Sequence, residues 1–213
     1  MKKRIFVAKK PEFNVKNQSL LRELQHNLQL KTLASVEIVQ VYDVFHVADE
    51  LLATAERTIF SEHVTDDILS EQAVQAALLD SKFFAIEALP GQFDQRASSA
   101  QEALFLLGAD QKSSVKTAQL YLLNDSLTDN EFEQIKHYQL NSVDSRFKDI
   151  TLAIHDEPIA DKTDEIPVLD GFINFSESEI TALHTSYALA MEVNVFFFTC
   201  IFTFIFINTI TNF

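Results

Sequence analysis

Glycine is nearly absent from this chain. Only Gly91, Gly108 and Gly171 occur in 213 residues, and no two stand close enough to form a phosphate-cradling loop, which excludes a nucleotide-binding motif. A single cysteine, Cys200, excludes an intramolecular disulfide framework and any C-x-x-C site. Its neighbours are apolar or hydroxyl residues, with no basic group to favour a nucleophilic thiolate. Basic residues are scarce: 17 against 31 acids, a net charge of −14, which argues against nucleic acid as a partner because phosphate binding needs clustered Lys and Arg. The one basic cluster, Lys2-Lys3-Arg4, reads as the solvated lip of a first strand. The apolar run behind it reaches only from Ile5 to Ala8, too short for a secretory signal, so a cytoplasmic location is expected.

Other chemistry is missing as well. Six histidines are scattered, and no two sit at i, i+4 around an acid, so no metal site is expected. Ser98-Ser99 lacks the G-x-S-x-G context of a nucleophile elbow. Asp43, Asp66 and Asp67 read as solvated surface in so acidic a chain.

What is present is a core. Hydrophobic residues make up 47% of the chain. Arg4 to Lys9 reads as a strand, with Ile5, Phe6 and Val7 in a row. Asn17 or Ser19 can cap a helix carrying the stripe Leu20, Leu24 and Leu28, with Leu21 beside it. Val36 to Val47 is β-branched and aromatic, a second strand, and Ala48 to Phe60 is helical with Leu51, Leu52, Ala55 and Ile59 inward. Ser61 to Asp80 reads as a loop and a helix containing Val74, Ala77 and Leu78. Phe83 to Leu89 is a third strand, Gln92 to Leu107 a helix with the stripe Phe93, Ala97, Ala100, Leu104 and Leu107, and Gly108 its stop. Val115 to Leu123 is another strand, and Thr128 to Glu131 is a capping box that opens a helix with Phe132 and Ile135. Adding 79 to the first unit's numbers places Phe6-Val7 on Ala85-Ile86, Leu28 on Leu107 and Val36 on Val115, the mark of an internal duplication. The fold class expected is α+β: two related βαβ units forming sheets covered by helices.

The segment Leu89 to Ser99 carries the densest polar set at a strand-to-helix junction. Pro90-Gly91 is the only Pro-Gly pair and marks a turn, with Gln92, Asp94, Gln95 and Arg96 behind it. Two roles suit these residues. Gln92 or Asp94 can cap the helix, with Arg96 paired to a nearby acid. Alternatively, the loop is a contact surface for another domain, or for an anionic ligand at the helix N-terminus.

The texture then changes. His155 to Pro167 holds two prolines and five acids and reads as a linker; Ser176 to Glu179 is a second capping box, leading to Ile180, Leu183 and Tyr187. Val193 to Phe213 holds no charge, no Gly and no Pro, and seven of the 19 phenylalanines fall in these 21 residues. The run is long enough to span a bilayer, yet Asn208, Asn212 and four threonines interrupt it and no Lys or Arg flanks it. The products of A- and T-rich codons, without amphipathic period, favour translation out of frame instead.

A family resemblance rests on five strings: Arg4 to Lys10, Ser19 to Leu28, Val39 to Phe45, Leu89-Pro90-Gly91-Gln92-Phe93-Asp94-Gln95-Arg96, and Asn141-Ser142-Val143-Asp144-Ser145-Arg146-Phe147-Lys148-Asp149. Together they resemble the opening of the large, single-chain phosphoribosylformylglycinamidine synthase, over about Met1 to Val193. That family takes an amide nitrogen from glutamine and uses ATP to convert formylglycinamide ribonucleotide to the amidine in purine synthesis. Its first domain is similar to a small separate subunit used by other organisms, and a linker domain, ATP-using synthetase halves and a glutaminase follow. The resemblance implies a small-subunit-like domain over 1–148, the start of a linker domain over 149–193, and an aberrant apolar tail over 194–213. It carries no catalytic, cofactor-binding or metal residue onto this chain. ATP and magnesium belong to the full-length family, and the partners implied are the remaining synthase domains. The resemblance ends at Asn194, beside the compositional break, so a truncated or frameshifted product is expected. The alternatives are an independent module that pairs with a separate synthetase chain, or a tail-anchored membrane protein. Removing residues 194–213 is expected to raise soluble yield and to suppress self-association through the apolar tail, leaving the thermal unfolding of 1–148 unchanged. Flotation of the intact chain with lipid vesicles as a monodisperse species would establish an anchor instead.

Overall fold

The computed structural model describes residues 2–124, 126–155 and 172–186. Two compact units divide the chain, Met1–Asp156 and Glu157–Phe213. In the first, β1 (Lys2–Lys9) leads through a short 3-10 turn to α1 (Val15–Asn27), β2 (Val36–Phe45), α2 (Asp49–Ala55) and a π-helical turn (Glu56–Phe60), then β3 (Asp66–Leu69) and α3 (Glu71–Leu79). The pattern repeats as β4 (Ser81–Ala88), α4 (Gln95–Leu106), β5 (Ser114–Asn124), α5 (Asp129–Gln139) and β6 (Ser145–Lys148). In the second unit a 3-10 turn at Phe172–Asn174 precedes α6 (Glu177–Ser186), where Ser176 and Glu179 form the expected reciprocal cap. The linker from Asp156 to Pro167, Cys200 and the apolar tail 194–213 lie outside the described residues.

The α+β class stands, but the sheet arrangement differs from expectation. All six strands join one sheet, in the order β3-β1-β2-β5-β4-β6, and every neighbouring pair is antiparallel. Each helix between paired strands is therefore an excursion over one face and not a crossover to a parallel neighbour. The duplication is legible in the register. Phe6 faces Leu69 in the first half, and 79 residues on Ala85 faces Lys148. Lys2 faces Phe45, and Ser81 faces Asn124. The two halves meet where β2 pairs with β5, and Gln40 faces Gln119 there. These are equivalent positions under the shift of 79, so a pseudo-two-fold axis passes between them.

Alternation along β2 sorts the core. Val36 and Ile38 belong to one apolar cluster with Leu20, Leu24 and Ile135, and Tyr42 and Val44 to another with Leu52, Ala100 and Leu104. Both clusters lie on the face covered by α1, α2, α4 and α5. Val39 and Val41 point the other way, toward Val74 of α3 and Ile150. Gln40, between Ile38 and Tyr42, falls on the seam that divides the two clusters.

The face toward α3 also holds an ion network that corrects the reading of Asp43 as solvated. Its carboxylate is buried at 3% exposure and accepts from Arg4 Nε at 2.6 Å and Nη2 at 3.0 Å, the two-point geometry that guanidinium favours. Lys148 Nζ lies 3.2 Å from the same carboxylate and also pairs with Glu87, which Arg146 holds from the adjoining edge strand. Removing one partner of such a pair strands the others in low dielectric. Asp43→Ala is expected to cost about 3 kcal/mol in urea unfolding; a loss below about 1 kcal/mol would mean that water reaches the network.

Candidate functional site

The segment from Leu89 to Arg96 forms a tight turn followed by a capped helix start. Gln92 N donates to Leu89 O at 3.0 Å, and Gly91 holds φ at +86°, a left-handed conformation that a side chain disfavours. Asp94 is the N-cap of α4: its Oδ1 accepts from Ala97 N at 2.9 Å and its Oδ2 from the Thr117 hydroxyl at 2.7 Å. The capping role foreseen for Asp94 is thus filled, and that carboxylate occupies the first helical turn in place of an anionic ligand. Pro90, Gly91, Gln92, Gln95 and Arg96 are all exposed.

Arg96 does not meet an acid. It donates through Nη1 to the Tyr42 hydroxyl at 3.1 Å, and no carboxylate pairs with it among the described residues. Tyr42 itself is buried, its ring 4.9 Å from that of Phe60 in the π-turn. The expected stripe also loses both its ends. Leu107 lies past the helix and is 39% exposed. Helix α4 starts at Gln95, so Phe93 precedes it and stands 78% exposed instead of packing beneath it.

Neighbouring groups missed from sequence complete the site. Between the π-turn and α4 runs a cleft of about 600 Å³ lined by Tyr42, Thr58, Ile59, Gln95, Arg96 and Ser99. Lys16 at the start of α1 reaches Gln119 Oε1 at 3.5 Å. Partial burial of its ammonium end, and secondly the Arg96 guanidinium, pull Lys16 below the ordinary lysine pKa. Gln40 Oε1, beneath them on the seam, is buried without a hydrogen-bond partner. One sequence signal was available for this group: Gln40 and Gln119, like Tyr42 and Tyr121, are identical residues 79 apart.

The turn has a companion. Leu89 N donates to Asp144 O at 2.8 Å, which ties the Pro90-Gly91 turn to the loop before β6. That loop is ordered by Asn141, whose side chain donates to Asp144 at 2.8 Å, and it leaves Val143 69% exposed. Among the described residues, no group of three His, Cys, Asp or Glu side chains is placed to hold a metal ion. Also among them, no helix is long and apolar enough to cross a membrane.

No protein-family model and no curated protein matches the chain.

Asp94 and Arg96 therefore make opposite predictions. Asp94→Ala removes a cap and a bond to Thr117 and is expected to cost about 2 kcal/mol of stability. Arg96→Ala, at an exposed position, is expected to cost about 0.5 kcal/mol or less. Chemical denaturation of both variants checks this; a large loss in Arg96→Ala would make the Tyr42 contact structural.

Proposed function

We propose that this chain supplies the non-catalytic, small-subunit-like first domain of a phosphoribosylformylglycinamidine synthase, and that its turn at Pro90–Arg96 is a contact surface for the synthetase part of that enzyme. One observation carries the reading. The two strings that bear the resemblance best, Leu89 to Arg96 and Asn141 to Asp149, lie far apart in sequence but fold side by side, joined by the Leu89–Asp144 backbone bond. Phe93 on the first string and Val143 on the second both stand exposed to solvent, and Arg96 is exposed in the first turn of α4. An exposed aromatic and an arginine are the residue types that anchor protein interfaces. Neither is needed where it stands for the stability of the sheet, so a partner is the economical explanation for both.

The internal duplication adds support, because a sheet built from two equivalent halves suits a scaffold presenting one differentiated face. The chemistry of the proposed enzyme, glutamine- and ATP-dependent amidation of formylglycinamide ribonucleotide with magnesium, belongs on this reading to the other domains. A cytoplasmic location goes with this reading. An independent module pairing with a separate synthetase chain would use the same surface.

Reconstitution tests the proposal. The chain is mixed with a synthase of this family from which the first domain has been removed. Rescue of amidine formation with ammonia, ATP and magnesium is expected, while the chain alone gives no turnover. Phe93→Ala and Arg96→Ala should each weaken the association about tenfold, equivalent to about 1.4 kcal/mol, with unchanged unfolding midpoints. Turnover by the chain alone, or absence of both association and rescue, would overturn the reading.

A further inference from the structure

The two halves of the sheet are equivalent in register but not in what closes over them. Position 59 in the π-turn corresponds to position 138 in α5. In the second half Tyr138 bridges α5 to α1: its hydroxyl donates to Glu23 Oε1 at 2.7 Å and accepts from Asn27 Nδ2 at 2.7 Å. In the first half the equivalent residue is Ile59, which has no polar group to reach across, and the cleft beside α4 stays open. Position 17, a buried asparagine in α1, corresponds to position 96, where α4 carries an exposed arginine. One of the two equivalent spaces is therefore bridged at its rim by Tyr138, and the other is unbridged and lined by a cation.

That cation has no carboxylate partner among the described residues. Bases are outnumbered by acids, 17 to 31. Several are engaged by carboxylates: Lys3 by Glu56, Arg4 by Asp43, Lys82 by Asp129, Arg146 by Glu87. Arg96 and Lys16 instead contact neutral oxygens, those of Tyr42 and Gln119, although each charge acts unfavourably on the other. Two like charges held near one another without an acid between them cost free energy that a bound anion recovers. The cleft offers such an anion the guanidinium fork of Arg96 with the hydroxyls of Tyr42, Thr58 and Ser99, and an apolar wall of Ile59, Ala100 and Ala103. The amide ends of α4 are not the binding element, since Asp94 already caps them.

We propose that the cleft between the π-turn and α4 binds a small organic anion, a carboxylate or phosphate group attached to a short apolar portion, with Arg96 taking the anionic group and Ile59, Ala100 and Ala103 the apolar portion. The site does not depend on the synthase reading: it rests on the unequal closure of the two halves and on the pairing of Arg96. Guanidinium is suited to either anion because both accept its two parallel N–H groups.

The test uses the full chain, with butyrate and inorganic phosphate as probes, followed by NMR shifts of the Arg96 side chain and of Ser99. Saturable shifts are expected with both, and the butyrate series should also move Ile59 and Ala103 methyl signals. A bound anion should raise the pKa of Lys16, read from its side-chain carbon shifts, toward that of an ordinary lysine. Arg96→Gln should weaken binding by about tenfold or more, and Arg96→Lys should recover only part of it because the fork is lost. Ser99→Leu, an exposed change that fills the cleft without touching the cation, should weaken butyrate more than phosphate. Arg146→Gln, which removes a cation outside the cleft, should leave both affinities unchanged. Shifts that never saturate, equal affinity in Arg96→Gln, or equal weakening by Arg146→Gln would overturn the proposal. Phosphate binding with no response at Ile59 or Ala103 would overturn its apolar half.

Discussion

The pairing of β2 with β5 is the interaction on which the rest of this fold depends. It runs from Val36 facing Leu123 to Phe45 facing Ser114 and is the only seam joining the two halves of the sheet. Without it each half is a three-stranded sheet with a long apolar edge strand exposed, an arrangement prone to pair with any other edge. With it, Val39 and Leu120 disappear from solvent altogether, and so does the boundary between the halves. The polar pair Gln40–Gln119 sits at its centre, where each half contributes the same residue, although Gln119 Oε1 is engaged by Tyr121 and Lys16 while Gln40 Oε1 is left without a partner.

Duplication explains both what was legible in the sequence and what was not. The shift of 79 was visible in a handful of residues such as Val36 and Val115, and it carries every strand pair of the first half onto one of the second. The long strands, the caps at Asp94 and Thr128 and the stop at Gly108 were legible because each is set by nearby residues. The helix end equivalent to Gly108 falls at Gln29, also with positive φ at 54°, and carries no glycine to announce it. Both strands that escaped notice, β3 and β6, are equivalents of one another. Their sequences, Asp-Asp-Ile-Leu and Ser-Arg-Phe-Lys, are short and charged, as edge strands tend to be. Lys9 with Asp66, and Arg146 and Lys148 with Glu87, hold them through partners dozens of residues away. No window of local periodicity reports such bonds.

The candidate site was legible by composition and not by geometry. The polar set Pro90–Arg96 marked the loop as a candidate, and of the two caps it offered, Gln92 and Asp94, the structure uses Asp94. The partners of that loop were hidden, because Tyr42 and Thr117 reach it only through sheet register and Asp144 only through the fold of the loop before β6. Phe93 was misassigned for a related reason. Its spacing from Ala97 fits a helical stripe, but the Asp94 cap forces the preceding residue out of the helix and into solvent.

Joining two equivalent units in one chain also releases a constraint. In a two-fold dimer every substitution appears twice, so a change that opens a cleft on one side opens it on the other. In a fused pair each copy changes alone. Near the axis the copies remain alike, with Gln40 opposite Gln119, since those residues face each other and must stay compatible. Away from it they differ in kind. The cross-strand pair Arg4–Asp43 becomes Phe83–Leu122, an ion pair replaced by apolar contact. This exchange leaves Arg4–Asp43 without a charged counterpart at the equivalent cross-strand position, and Lys148 and Glu87 of the second half extend the network from Asp43 toward the far edge. The same freedom lets Tyr138 bridge one helix gap while Ile59 leaves its counterpart unbridged, so two equivalent halves present unlike surfaces.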